Sequence, residues 1–104
     1  MPRPELETLR QELAAGSAQL LDIREWDEWK AGHLSQAVFC PLSGINGGDI
    51  PAELDPAKKT YIHCRSGRRV LQGKPLLEEA GFTHVIALPE GFDALAAAGF
   101  TTEI

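Results

Sequence analysis

The chain is poor in cysteine, in positive charge and in long apolar runs. Two cysteines, Cys40 and Cys64, in 104 residues rule out a disulfide framework. With His33, His63 and His84 they form none of the close Cys/His pairs that hold zinc, so neither a metal nor a cofactor is expected. No apolar stretch approaches the roughly 20 residues needed to cross a bilayer. Ten Lys and Arg against fifteen Asp and Glu leave a net charge of -5, which argues against general binding of nucleic acid or of an anionic membrane. The start, Met1-Pro2-Arg3-Pro4-Glu5, has no apolar core of a secretory leader. The expectation is a cytoplasmic protein with free thiols. There is no internal repeat, low-complexity tract or linker. At this length one domain over residues 1–104 is expected, large enough for a core of its own, and expected to be monomeric.

What is present alternates between strand and helix. Pro4 to Ala15 reads as a helix: Pro4 suits the first position, Glu5 and Glu7 suit the positive dipole end, and Leu6, Leu9 and Leu13 form one stripe closed by Gly16. Ala18 to Ile23 is apolar without alternation, as in a strand buried on both faces. Glu25 to Ala31 predicts a short helix ended at Gly32. Ala37 to Cys40 predicts a second buried strand, and Pro41 to Pro56, with three glycines and three prolines, reads mostly as loop. Thr60 to His63 is a third strand and Arg68 to Ala80 a helix stopped at Gly81. Pro75 inside that helix predicts a kink or break near Gly73-Lys74. Val85 to Leu88 is a fourth strand, Gly91 to Ala98 a last helix, and Thr101 to Ile104 an edge strand or a frayed end. This order predicts an α/β fold, a central parallel sheet with helices on both faces. The functional crevice of such a sheet lies at the carboxyl ends of its strands. Asp22, Arg24, Cys40 and Cys64 all fall there, bordered by Pro41 to Pro56 and by Pro89 to Gly91.

The sparse positive charge is concentrated. Arg65, Arg68 and Arg69 lie within five residues, in the segment Cys64-Arg65-Ser66-Gly67-Arg68-Arg69 that follows a strand and opens a helix. A free thiol has a pKa of about 8.5 and only its thiolate is a good nucleophile. Lowering that pKa by two units takes about 2.7 kcal/mol of preferential anion stabilisation. A helix N-terminus supplies up to about 2 kcal/mol, and the N–H groups of a turning loop form an anion nest. The three arginines add positive potential and can hold an anionic substrate. Gly67 lets the loop turn, and Ser66 can donate to bound sulfur or oxygen. Cys64 is therefore the candidate nucleophile.

Two segments carry a resemblance. Leu20-Leu21-Asp22-Ile23-Arg24, Glu28, Gly32-His33-Leu34, Ala37 and Pro41 resemble the first signature of the single-domain rhodaneses. Cys64 to Arg69 resembles the six-residue active loop of that family, and Leu77, Gly81-Phe82 and Val85 the segment after it. The resemblance implies a thiosulfate sulfurtransferase working by a ping-pong route. Cys64 takes the outer sulfur of thiosulfate or a similar small anionic donor, sulfite leaves, and the Cys64 persulfide passes its sulfur to a thiol, to cyanide or to an acceptor protein. It assigns Arg65, Ser66, Gly67, Arg68 and Arg69 to the binding loop. Asp22 and Arg24 would support that loop, with Asp22 accepting loop N–H bonds.

The sequence departs from the pattern at Val70, at Pro75, at Cys40, and at Pro89-Glu90-Gly91, where a double glycine is usual; Leu95 replaces a common Trp. Two other functions compete. A His-Cys-x5-Arg phosphatase or arsenate reductase begins the same way at His63-Cys64, but needs an arginine at position 70, where Val70 stands. A rhodanese-like persulfide carrier or partner-binding module is the other. Cys40 reads as a core residue, with a resolving thiol as its alternative. His33 is expected to hydrogen-bond in a turn, His63 to be core with a possible influence on the thiolate, and His84 to be on the surface. Trp26 and Trp29 are expected to anchor the core. Glu25, Asp27 and Glu28 are expected to form a solvated face, with Glu28 near Arg24.

Overall fold

The computed structural model describes residues 3–104; Met1 and Pro2, the first residues of the start read above as leader-free, lie outside them. Helix α1 (Pro4–Ala15) leads into strand β1 (Ala18–Asp22), then α2 (Trp26–Ala31), β2 (His33–Leu34), β3 (Ala37–Phe39), α3 (Leu42–Asn46), β4 (Lys59–His63), α4 (Val70–Glu79), β5 (Val85–Ala87), α5 (Phe92–Ala97) and β6 (Thr102–Glu103). Four strands form one parallel sheet in the order β3-β1-β4-β5. β1 and β4 are central, and their uninterrupted apolar runs follow from having both faces covered.

Neighbouring side chains on these strands point to opposite layers. Leu21 and Ile62 pack with Ile45, Val70 and Leu77 of α3 and α4. Leu20 and Tyr61 pack with Leu6, Leu9 and Leu95 of α1 and α5. The expected sheet between two helical layers is therefore what forms. Glu12 fastens α1 to β4 by accepting from the Tyr61 hydroxyl at 2.5 Å and from the Lys59 ammonium at 3.0 Å. No helix among the described residues is long and apolar enough to cross a membrane.

Several local expectations differ. β3 is an edge strand and only half-buried, because nothing pairs beyond it. The Pro41 to Pro56 loop contains α3, which Pro41 opens and the buried Ile45 anchors. The C-terminal edge strand is β6, and it pairs antiparallel with the two-residue β2 outside the main sheet; strands this short leave no periodic signal. α4 runs unbroken through Pro75. The proline removes one donor, the partner of the Leu71 carbonyl four residues back, and Leu71 is itself exposed. The tryptophans are not core anchors. Trp26 is 56% exposed, and Trp29 lies stacked on the His33 ring at a centroid distance of 3.6 Å. Both pack on Phe39 of the edge strand, so they shield a sheet edge.

Candidate active site

Parallel register brings the strand ends to one rim. Asp22 is paired with Phe39 on one side and His63 on the other, so the segments that follow, Ile23-Arg24, Cys40-Pro41 and the Cys64 loop, leave the sheet side by side. Backbone bonds continue past the strands: Ile23 N–H to the His63 carbonyl, Cys40 N–H to that of Asp22, and Leu42 N–H to that of Ile23, each at 3.0 Å.

The loop after Cys64 is fixed by close backbone contact with Pro89 to Phe92. Phe92 N–H donates to the Cys64 carbonyl at 2.9 Å. Gly67 has φ +82, and a Cβ there would stand 2.5 Å from the Pro89 carbonyl oxygen. A Cβ on Gly91 would stand 1.7 Å from the Arg65 carbonyl oxygen. Of the usual double glycine, Gly91 is thus the position that the loop needs bare. Glu90 beside it is tied to Arg3 by two bonds of 2.5 and 2.8 Å.

This clamp turns the loop N–H groups onto sulfur. Gly67 N–H donates to Cys64 Sγ at 3.2 Å. Cys64 is buried, and burial pushes its pKa up, but the N–H groups of Ser66, Val70, Gly67 and Arg69 together outweigh it and the pKa lies below the ordinary thiol value. Val70 contributes through its backbone, so its side chain can fill the core.

The arginines divide. Arg69 is bound by both nitrogens to Glu28, at 2.7 and 2.9 Å; Glu28 is held well below its usual range, at about 2, chiefly by that bond. Glu28 therefore pairs with Arg69 rather than with Arg24, and it joins α2 to the end of the loop. Arg65 and Arg68 are exposed and have no carboxylate partner among the described residues. Ser66 is exposed at the mouth.

Asp22 and Arg24 are buried and paired, with Arg24 Nε 3.0 Å and Nη2 2.8 Å from the carboxylate. Asp22 also accepts the Arg24 backbone N–H at 2.9 Å. The donors to Asp22 are thus on Arg24, in place of the expected loop N–H groups, because Arg24 folds back within two residues of it. Arg24 also caps the Gly32 carbonyl at 2.7 Å and lies over the Phe92 ring at 4.2 Å. His63 is buried, its Nδ1 3.3 Å from the Cys64 carbonyl and its Nε2 3.8 Å from Asp22. Burial pushes its pKa down against the pull of Asp22. His33 meets the Trp29 carbonyl at 2.8 Å as a turn residue, and His84 is exposed.

Cys40 is buried with a thiol pushed up to about 12, first by burial and then by Asp49, as suits a core residue. Glu25 caps α2 and accepts from Ser43; it is not part of a freely solvated face. The Glu28–Arg69 bridge and the Gly67–Pro89 contact were not foreseen. Only the retained Gly91 and the position of Glu28 in the signature pointed toward them. No group of His, Cys, Asp and Glu among the described residues could hold a metal.

Comparison with known proteins agrees with this geometry. The chain is 32% identical over 77 residues to the probable adenylyltransferase/sulfurtransferase MoeZ of Mycobacterium tuberculosis, covering 74% of this chain and 20% of that one. It is 29% identical over 65 residues to the thiosulfate sulfurtransferase PspE of Escherichia coli, covering 62% of each. The chain thus spans about a fifth of the first relative and under two thirds of the second. The Alr3790 protein from Anabaena superposes with a TM-score of 0.80 at 27% identity, over 94% of this chain and 77% of that one. The family model for the rhodanese-like domain matches residues 5–98, and the chain belongs to the rhodanese-like domain family.

Proposed function

We propose that this protein is a sulfurtransferase in which Cys64 is the nucleophile. The observation that carries the reading is a buried thiol that accepts the Gly67 N–H at 3.2 Å, in a loop whose neighbouring N–H groups draw its pKa below the ordinary thiol value. The thiolate attacks the outer sulfur of thiosulfate or a similar sulfane donor. Its S–S bond breaks and sulfite leaves with the electron pair, while Cys64 becomes a persulfide. The same N–H donors serve the thiolate, the departing sulfonate and the persulfide in turn. Arg65 and Arg68 meet the donor anion at the mouth, whereas Arg69 acts from behind, holding the loop end through Glu28. A thiol, cyanide or an acceptor protein then removes the sulfur. Neither a metal nor an organic cofactor enters these steps.

The relation to PspE supports thiosulfate as donor. The phosphatase reading is weaker on two counts: Val70 occupies the clamp position and points its side chain into the core, and the nearest arginine, Arg69, is occupied by Glu28. The test is the intact mass of wild type and Cys64→Ser after brief incubation with thiosulfate. A gain of one sulfur in wild type alone, removed by cyanide, is expected. No gain with thiosulfate or with any other sulfane donor sinks the proposal.

A further inference from the structure

The Cys64 loop rests on the segment Pro89 to Phe92 at three points. Gly67 lies against the Pro89 carbonyl and Gly91 against the Arg65 carbonyl, each too close for a Cβ, and Phe92 N–H donates to the Cys64 carbonyl at 2.9 Å. The aim of the loop N–H groups on sulfur therefore depends on where this segment stands. Glu90 lies in its middle, between the two contacts that glycine makes possible.

Glu90 is held from α1. Arg3, at the N-cap of that helix, donates from Nε to one carboxylate oxygen at 2.5 Å and from Nη2 to the other at 2.8 Å. Its remaining nitrogen, Nη1, donates to Glu5 at 2.6 Å. The Arg3 carbonyl accepts the Leu6 N–H at 3.0 Å, and Leu6 and Leu9 fix α1 in the core. The Glu90 side chain is only 14% exposed. A bidentate pair of this kind fixes distance and angle together, unlike the single contacts of most surface ion pairs. A cavity of about 220 Å³ lies beside it, with Arg3, Thr8, Tyr61, Ile86 and Pro89 in its wall. On that side Pro89 borders empty space, so packing does not hold it there, and the Arg3–Glu90 pair ties the segment to α1.

Resting on the sulfurtransferase reading, we infer that Arg3 and Glu90 are positioning residues for Cys64. They act through the backbone and not on the sulfur. Their pair holds Pro89 and Gly91 against the loop, and so keeps the Gly67 N–H on Sγ. One position of the usual double glycine stays bare for the loop, and the other carries an anchor. Helix α1 is thereby tied to the active loop from the far end of the chain.

Arg3→Met, Glu90→Ala and the double variant are compared with wild type by two readouts. One is the pH midpoint of Cys64 alkylation by iodoacetamide, the other the rate of sulfur loading from subsaturating thiosulfate. Charge and positioning predict different signs. As a charge alone, Glu90→Ala removes a negative group from the neighbourhood of the thiolate and lowers the midpoint, while Arg3→Met raises it. As a tie, each variant frees the segment, both midpoints rise, and loading slows about tenfold in each. The double variant should be no slower than either single one, because there is one tie to lose. A midpoint that falls in Glu90→Ala, midpoints unmoved in both, or a double variant slowed by the product of the two singles overturns the inference and leaves the sulfurtransferase intact. Alkylation needs no sulfur donor, so it tests the tie even if wild-type Cys64 never gains sulfur; that result overturns the sulfurtransferase reading.

Discussion

Cys40 and Cys64 follow β3 and β4, which flank β1 on either side and end at the same rim of the sheet; both are fully covered, and both belong to one apolar cluster. Their thiols nevertheless move in opposite directions, Cys40 up to about 12 and Cys64 below its ordinary value. Burial acts against the thiolate in both. What differs is the backbone that follows. After Cys40 comes Pro41, which has no N–H, and the next N–H, of Leu42, goes to the Ile23 carbonyl. Those of Gly44 and Ile45 close onto the Pro41 carbonyl to make α3. After Cys64 the chain turns at Gly67, and four N–H groups point back at sulfur. The carboxylate near Cys40, Asp49, adds to the contrast. Thiolate character is thus decided by whether N–H groups aimed at the sulfur outweigh the cost of burying its charge.

The largest expected effect is in alkylation. With iodoacetamide at pH 7 and the protein folded, Cys64 should react at least a thousandfold faster than Cys40, since a thiol near 12 keeps only about one thiolate in 10⁵. The Cys64 rate should rise with pH along a curve whose midpoint lies below that of an ordinary thiol. Peptide mapping after a timed quench reads both sites. Equal labelling of the two cysteines would break the comparison.

Next is Gly67→Ala. The added methyl meets the Pro89 carbonyl at 2.5 Å and sits on a backbone at φ +82, so either the loop or the Pro89 to Phe92 segment must move. Sulfur loading should fall by about two orders of magnitude, as for lost preorganised donors, while Cys40 remains unreactive. The circular dichroism spectrum should be retained, because the change lies outside every helix and strand. Loading within threefold of wild type would show that the nest does not depend on this turn.

Much of this contrast was legible beforehand. The apolar runs of β1 and β4 carry the sheet, and Cys64 followed by an arginine-rich, glycine-containing turn marks the site. The elements that were misread depend on pairing at a distance. β2, which the sequence did not suggest, is two residues long and exists because it meets β6, the edge strand expected within Thr101 to Ile104. Trp26 and Trp29 looked like core by size, yet they cover an edge strand whose position depends on sheet order. Likewise the arginines of the loop look equivalent in sequence. Only the approach of α2 assigns Arg69 to Glu28 and leaves Arg65 and Arg68 exposed, without a carboxylate partner among the described residues.

Glu28→Gln sharpens the comparison with a smaller effect. The Glu28 carboxylate holds Arg69, whose N–H is one of the four donors to Cys64 and has no counterpart at Cys40. Its pKa falls on folding, from 4.5 to about 2. A carboxyl group lowered on folding contributes stability that is present above the unfolded value and is lost as pH falls through the folded one. Wild type should therefore exceed Glu28→Gln by about 1–2 kcal/mol at pH 7, discounted for partial exposure, and the gap should close between pH 4.5 and about 2. Urea melts at a series of pH values measure it. In the same variant the alkylation profile of Cys64 should shift toward higher pH while Cys40 stays silent. A gap that persists at the acid end would mean that packing of α2, and not the carboxylate, holds the loop. An unshifted Cys64 profile would mean that the loop N–H groups keep their aim without Arg69 being held.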